Sequence, residues 1–282
     1  MLNVFYLVAI IVGVSGQSIV KKPYTQKTSG GGVYFFNMLL SMAALLFFVA
    51  TSSKLNLNLA YVPYSIGFAV AYAVSSVFMV LAIAYGSLSL TSLFISYSLM
   101  IPTIYGLILG EPVGNGFLPG MILLVISIFL TNKRDKKAKI SFKWVIFVLL
   151  SFIGNGMCTV VQKMQQVASG GKYKNEFMIV ALAIVTIVMF TISLFQERRD
   201  IKFYAKSGWH WALICGVLNG MVNLFVMILS GRMSVSLMFP LISAGGLIVT
   251  YIVSRLFYKE KLTRIQLVGF IFGLAAVVLL NI

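Results

Sequence analysis

Asn219 and Asn223 stand one helical turn apart in the stretch LNGMVNLF, inside an otherwise apolar run. Side-chain amides donate and accept hydrogen bonds but break no covalent ones, so their chemistry is the holding of polar groups on a small molecule. Gly216 and Gly220 run beside them, which leaves a second reading open: a tight helix–helix contact with the amides bonding across it. Gln17 repeats the combination one turn after Gly13. Hydroxyls cluster at Tyr72, Ser75 and Ser76, at Ser96, Tyr97 and Ser98, and at Ser243. Each of these either meets a substrate or bonds its own helix backbone. Lys163 adjoins Gln162 and precedes Gln165 and Gln166; its ammonium suits a carboxylate or phosphate, or else snorkels to the membrane interface. Arg232 and Arg255 carry the same pair of readings. Gln17, Tyr72, Ser76, Tyr97, Lys163, Asn219, Asn223 and Ser243 are the candidate substrate-binding set. Pro102, Pro240, Gly245 and Gly246 are the candidate hinges, because proline interrupts a helix and paired glycines let it bend.

The elements that must position these groups are membrane helices. The chain has 282 residues, 60% hydrophobic and 10% charged, whereas soluble domains run near about 25% charged. A bilayer core takes roughly 20 apolar residues per helix, and the sequence offers ten such runs. They are 2–20, 33–51, 60–85, 89–109 and 117–131, then 144–167, 177–196, 208–229, 234–257 and 265–282. The fold class expected is an all-α integral membrane protein. Polar groups at membrane depth are costly unless they face protein or a wet cavity, which is why those named above stand out.

The net charge of +16 comes from 22 Lys and Arg against 6 Asp and Glu. The basic residues gather in loops at helix ends, so they report topology and not nucleic-acid binding. The first run begins the chain without a basic segment or a small-residue cleavage site, and reads as a retained helix. Cys158 and Cys215 fall inside spans as buried thiols, and His210 lies between Trp209 and Trp211 in an interfacial aromatic belt. No Asp or Glu lies in the middle of a span. With one histidine and no paired carboxylates, nothing calls for a catalytic residue, a metal or a cofactor.

Two halves are visible. GEPVGNGFLPG at 110–120 and YKEKLTRIQLVG at 258–269 place Glu111 before Gly120 and Glu260 before Gly269 at one spacing. Upstream, Ser87-Leu88-Ser89-Leu90 pairs with Ser234-Val235-Ser236-Leu237, and Gly86 with Gly231. IIVGVSGQSIVKK aligns with SFIGNGMCTVVQK, pairing Gly13 with Gly154, Gln17 with Cys158 and Lys22 with Lys163. The expected organisation is a five-helix repeat over 1–132, a basic connecting loop KRDKKAKISFK at 133–143, and a second repeat over 144–282. Five is odd, so the second repeat enters the membrane inverted, an arrangement used by carriers that alternate access around a midplane site.

These features together resemble the drug/metabolite transporter superfamily, in its ten-helix, EamA-like branch. The resemblance is carried by LILGEPVGNGFLPGMILLVISIFL and SRLFYKEKLTRIQLVGFIFGLAAVVLL, the second copy having Lys259 where the first has Gly110. It implies a central cavity lined by helices 1, 3, 4, 6, 8 and 9, and transport of small organic metabolites, frequently outward, across the plasma membrane. It also implies both termini in the cytoplasm, whereas loop charges place the opposite face inward and both termini outside. Small four-helix relatives export cations with a glutamate in helix 1; LVAIIVGVSGQSIV has none. The expected partners are therefore the lipid bilayer and a small neutral, zwitterionic or anionic metabolite, an amino acid or related compound among them. A nucleotide-sugar carrier is the rival of the same fold, its Phe-Tyr-Asn-Asn motif echoed weakly by Phe35-Phe36-Asn37. Coupling to protons or a counter-substrate, and monomer against homodimer, stay open.

Overall fold

A computed structural model describes residues 2–52, 56, 58–86, 88–110, 114–131, 141–230, 232–233, 235–257 and 263–279. Glu111, Glu260 and most of the basic connector lie outside the described residues. The described chain is all helical. The first helices are α1 Leu2–Lys27, α2 Val33–Thr51, α3 Val62–Tyr85, α4 Leu88–Ser96, α5 Met100–Ile108 and α6 Phe117–Thr131. Then follow α7 Phe142–Ala168, α8 Lys174–Gln196, α9 Ile201–Ser230, α10 Val235–Phe257 and α11 Arg264–Leu279. Among the described residues, six helices, α1, α2, α3 with its leading turn, α7, α8 and α9, are long and apolar enough to cross a membrane. Large apolar side chains such as Phe5, Val12, Ile66, Val70, Ile153 and Ile187 face outward, as lipid contact requires.

Packing is close where glycines permit it. Gly154 of α7 lies against the backbone of α3, where an added methyl would meet Ser75 N at 2.7 Å and Ala71 O at 2.8 Å. Gly13 of α1 lies as close to α9, but against the side chains of Val222 and Met221. α2 packs on α8 and α9, α6 on α11, and α10 on α1 and α4. Ser15 Oγ donates to the Gly246 carbonyl at 3.1 Å and Ser151 Oγ to the Ser75 carbonyl at 3.0 Å, fastening two of these contacts.

Three details differ from the expected spans, each for a local reason. α1 continues through Lys21, Lys22 and Pro23 to Lys27, so three lysines assigned to a loop belong to a helix. α9 begins at Ile201 but is non-helical at Gly208, which divides a short leading arm from the membrane span. Between α4 and α5 the chain tightens into a 3-10 turn, Tyr97–Leu99. Pro102 explains this turn: it supplies no N–H to the Ser98 carbonyl, and its ring crowds that oxygen. α10 runs as one helix through Pro240 and Gly245-Gly246.

The loops are tied at both ends of the bundle. Glu197, after α8, accepts from the backbone N–H groups of Tyr34 at 3.0 Å and Phe35 at 2.7 Å, placing a carboxylate on the α2 N-terminus. Tyr24 Oη donates to the Gly32 carbonyl nearby at 2.6 Å. At the other end Asn56 N–H donates to Glu176 Oε1 at 3.0 Å.

Candidate functional site

A cavity of about 160 Å³ lies among α1, α3, α4, α7, α9 and α10. Each helix of the lining contributes one inward face. On α1 the stripe is Ile10, Val14, Gln17, Ser18 and Lys21. On α3 it is Phe68, Tyr72, Ser75, Ser76 and Met79. α7 adds Asn155, Cys158, Thr159 and Gln162, and α9 adds Asn219, Val222, Asn223 and Val226. Such steps of three and four residues give each helix one inward face.

The amides form a chain across three helices. Gln162 Nε2 donates to Asn223 Oδ1 at 2.8 Å, Asn223 Nδ2 to Asn219 Oδ1 at 3.0 Å, and Asn219 Nδ2 to Gln17 Oε1 at 3.0 Å. All four point the same way, so their dipoles reinforce one another in a low-dielectric setting. Asn155 Nδ2 donates to Ser98 Oγ at 2.7 Å, tying α7 to the 3-10 turn. Phe68 and Tyr72 lie stacked, centroids 5.7 Å apart, and give the cavity an aromatic wall.

Six of the eight expected binding residues, Gln17, Tyr72, Ser76, Asn219, Asn223 and Ser243, line this cavity together, as does Gly246. The α9 stripe divides between two sides of the helix. Gly216 and Gly220 take Leu40, Ala43 and Phe47 of α2, while Asn219 and Asn223 face the cavity. Tyr97 and Lys163 are elsewhere. Tyr97 is buried with its hydroxyl 2.7 Å from Ser127 Oγ, and Ser127 donates to the Gly269 carbonyl, so this group seals α6 and α11 onto the bundle. Lys163 is half-buried and off the lining, because one residue beyond Gln162 is about 100° further round the helix. Pro102 is buried in α5, and Gly245 packs on Ile11 of α1.

One functional candidate was missed: Lys21. Its side chain is 5% exposed and lines the cavity, with Nζ 3.3 Å from Met79 Sδ. The signal was present, since Lys21 continues the Gln17 stripe by one turn. Assigning it to the following loop concealed it.

The cavity lies between two apolar plugs. Towards one end, Ile10, Leu229, Met238 and Phe239 of α1, α9 and α10 pack together. Towards the other, Ala82, Trp144 and Val148 of α3 and α7 pack with Phe94 of α4, and Trp144 Nε1 donates to Thr91 Oγ1 at 3.0 Å.

The fold and this cavity define a multi-pass membrane protein built of helices around a central chamber whose apolar wall carries a few polar groups. The chain belongs to the EamA-like transporter family, part of the drug/metabolite transporter superfamily: the family model matches residues 142–282. An uncharacterized protein of Haemophilus influenzae is 25% identical over 189 residues, which span 64% of this chain and 62% of that relative. The match thus covers less than two thirds of the relative's length. A solved crystal structure superposes with a TM-score of 0.63 over 96% of each chain at 11% identity, a likeness of fold.

Proposed function

We propose that the protein is a secondary or facilitative carrier that moves a small neutral, zwitterionic or anionic metabolite across the plasma membrane by alternating access, in the export direction. The observation that carries this reading is a cavity with a chain of amides on its wall, flanked by two apolar clusters. A pore would need a continuous wet path, and a scaffold would need no buried chain of amides. In this reading Gln17, Tyr72, Ser76, Asn219, Asn223 and Ser243 hold the substrate, the plugs open in turn, and the break before Pro102 and the glycines of α10 accommodate the motion.

Ten spans in two inverted five-helix repeats are part of the proposal, with α4 and α5 counted as one broken span. The packing supports it. Exchanging the first repeat for the second turns the contact of α1 with α9 into that of α7 with α3, and each has its glycine, Gly13 and Gly154. The same exchange turns the plug of α1, α9 and α10 into the plug of α7, α3 and α4. α2 with α8, and α6 with α11, are contacts of a helix with its own counterpart.

Cavity size separates the rival substrates. A chamber of roughly 150 Å³ holds a molecule the size of benzene, so about 160 Å³ suits a small metabolite and is far too small for a nucleotide sugar. Phe35 and Asn37, the weak echo of the nucleotide-sugar motif, are buried on α2 and off the lining. The test is flux from proteoliposomes with a panel of amino acids, organic acids and neutral metabolites. Saturable flux of at least one, abolished by combined Gln17→Leu, Asn219→Leu and Asn223→Leu, is expected. No saturable flux for any, or flux surviving the triple variant, would overturn the proposal.

A further inference from the structure

Among the described residues, the cavity lining contains one charged side chain, Lys21, and no Asp or Glu. An ammonium has three donors, and here the hydrogen bond made by Nζ goes to Met79 Sδ, a thioether and a weak acceptor. A charge held at membrane depth without a carboxylate is costly, and such residues persist where a ligand completes them. Its neighbours on the stripe, Gln17 and Ser18, sit one turn below it and add polar groups to the same side of the chamber.

We propose that Lys21 is the anchor for a carboxylate on the substrate, and that the substrate is a small monocarboxylate of net charge −1 with an apolar body. The inference rests on the carrier reading above and narrows its substrate class. The net charge follows from counting: one ammonium balances one carboxylate. A second carboxylate would enter with no cation among the lining residues, and an ammonium on the substrate would find only neutral acceptors. The apolar body follows from the remaining wall, where Phe68, Ile95, Val222, Phe239 and Ile242 face the chamber. The volume limits it to roughly six to ten non-hydrogen atoms by comparison with a benzene-sized chamber. The amide chain from Gln162 to Gln17 supplies directional bonds for a hydroxyl or keto group carried on that body.

The experiment uses the full chain purified in detergent, with matched probes: benzoate against benzamide, 4-methylvalerate against its amide, leucine as the zwitterion and succinate as the dianion. Melting temperature is followed against probe concentration for the wild type, Lys21→Met, Lys21→Arg and the control Lys22→Met. The monocarboxylates are expected to stabilise the wild type at concentrations at least about tenfold below those needed for their amides, for leucine or for succinate. A charge-assisted hydrogen bond sets that ratio. Lys21→Met should lose this preference while melting, without ligand, no lower than the wild type, since it removes an unsatisfied buried charge. Lys21→Arg and Lys22→Met should keep it. A merely structural lysine would instead give a Lys21→Met variant that melts lower and still prefers acids. Equal response to acid and amide, an acid preference surviving Lys21→Met, or no response to any acid would each overturn the inference. If liposome flux is then found for neutral or cationic compounds, the carrier reading stands without it. If no class of compound moves, the carrier reading falls too.

Discussion

At the scale of single residues, Asn219 is the hinge pin of the polar network, because it both donates to Gln17 and accepts from Asn223. Asn219→Leu keeps the volume but strands the Gln17 oxygen and an Asn223 donor in a buried setting, a loss of about 1–3 kcal/mol per orphaned group. Substrate flux should fall through a raised KM, and the variant should melt lower in detergent. Gln17→Leu combined with Asn219→Leu should cost less than the two singles added, with a coupling of about 0.5–3 kcal/mol for bonded partners. Strict additivity in thermal or chemical melts would mean that the amides act separately. Much of this network was legible in the sequence, because an amide inside an apolar run has few reasons to be there. Lys21 was not, because a lysine near a helix end is ordinarily a topology marker, and only the length of α1 reveals that it lies inside. Tyr97 was misleading for the opposite reason: two residues beyond Ile95, which lines the cavity, it lies about 200° round the helix and faces Ser127 instead.

At the scale of helices, the fold depends on how closely α7 approaches α3 and α1 approaches α9. The two contacts look alike in sequence, Gly13 aligning with Gly154, yet they differ in what surrounds the glycine. A methyl on Gly154 would strike backbone atoms of α3, which cannot move without displacing the helix. A methyl on Gly13 would strike Val222 Cγ2 at 2.5 Å and Met221 Cε at 3.0 Å, side-chain atoms and not backbone, of which the Met221 end turns aside freely and the β-branched Val222 yields only by a small shift. Gly154→Ala should therefore destabilise by about 1–3 kcal/mol, the usual cost of overpacking, and Gly13→Ala by less. Melting temperatures of the two variants check this, and the reverse order would contradict the packing. Helix positions were legible from apolar run lengths alone, whereas the pairing of helices was not. Run length reports the thickness of a bilayer, and partner choice depends on the shapes of two faces that lie far apart in the chain.

At the scale of the whole molecule, the remaining quantity is orientation, which the bundle reduces to a single choice. Glu197 bonded to Tyr34 and Phe35 holds the loops after α1 and α8 at one end, and Glu176 bonded to Asn56 holds the loops after α2 and α7 at the other. Lys27, Arg198, Arg199 and Lys202 belong to the first end. A positive excess of this kind stays in the cytoplasm, because translocating short basic loops is unfavourable. Single cysteines at exposed positions test it: Lys27→Cys and Arg199→Cys for the first end, Lys172→Cys for the second. The natural Cys158 and Cys215 are buried and should add little background. In intact cells a membrane-impermeant maleimide should label Lys172→Cys, and reach Lys27→Cys and Arg199→Cys only after permeabilisation. The opposite pattern would place both termini in the cytoplasm, as the family resemblance implies. Comparable labelling of both ends without permeabilisation would mean that the chain inserts both ways, a result contrary to the charge bias of its loops.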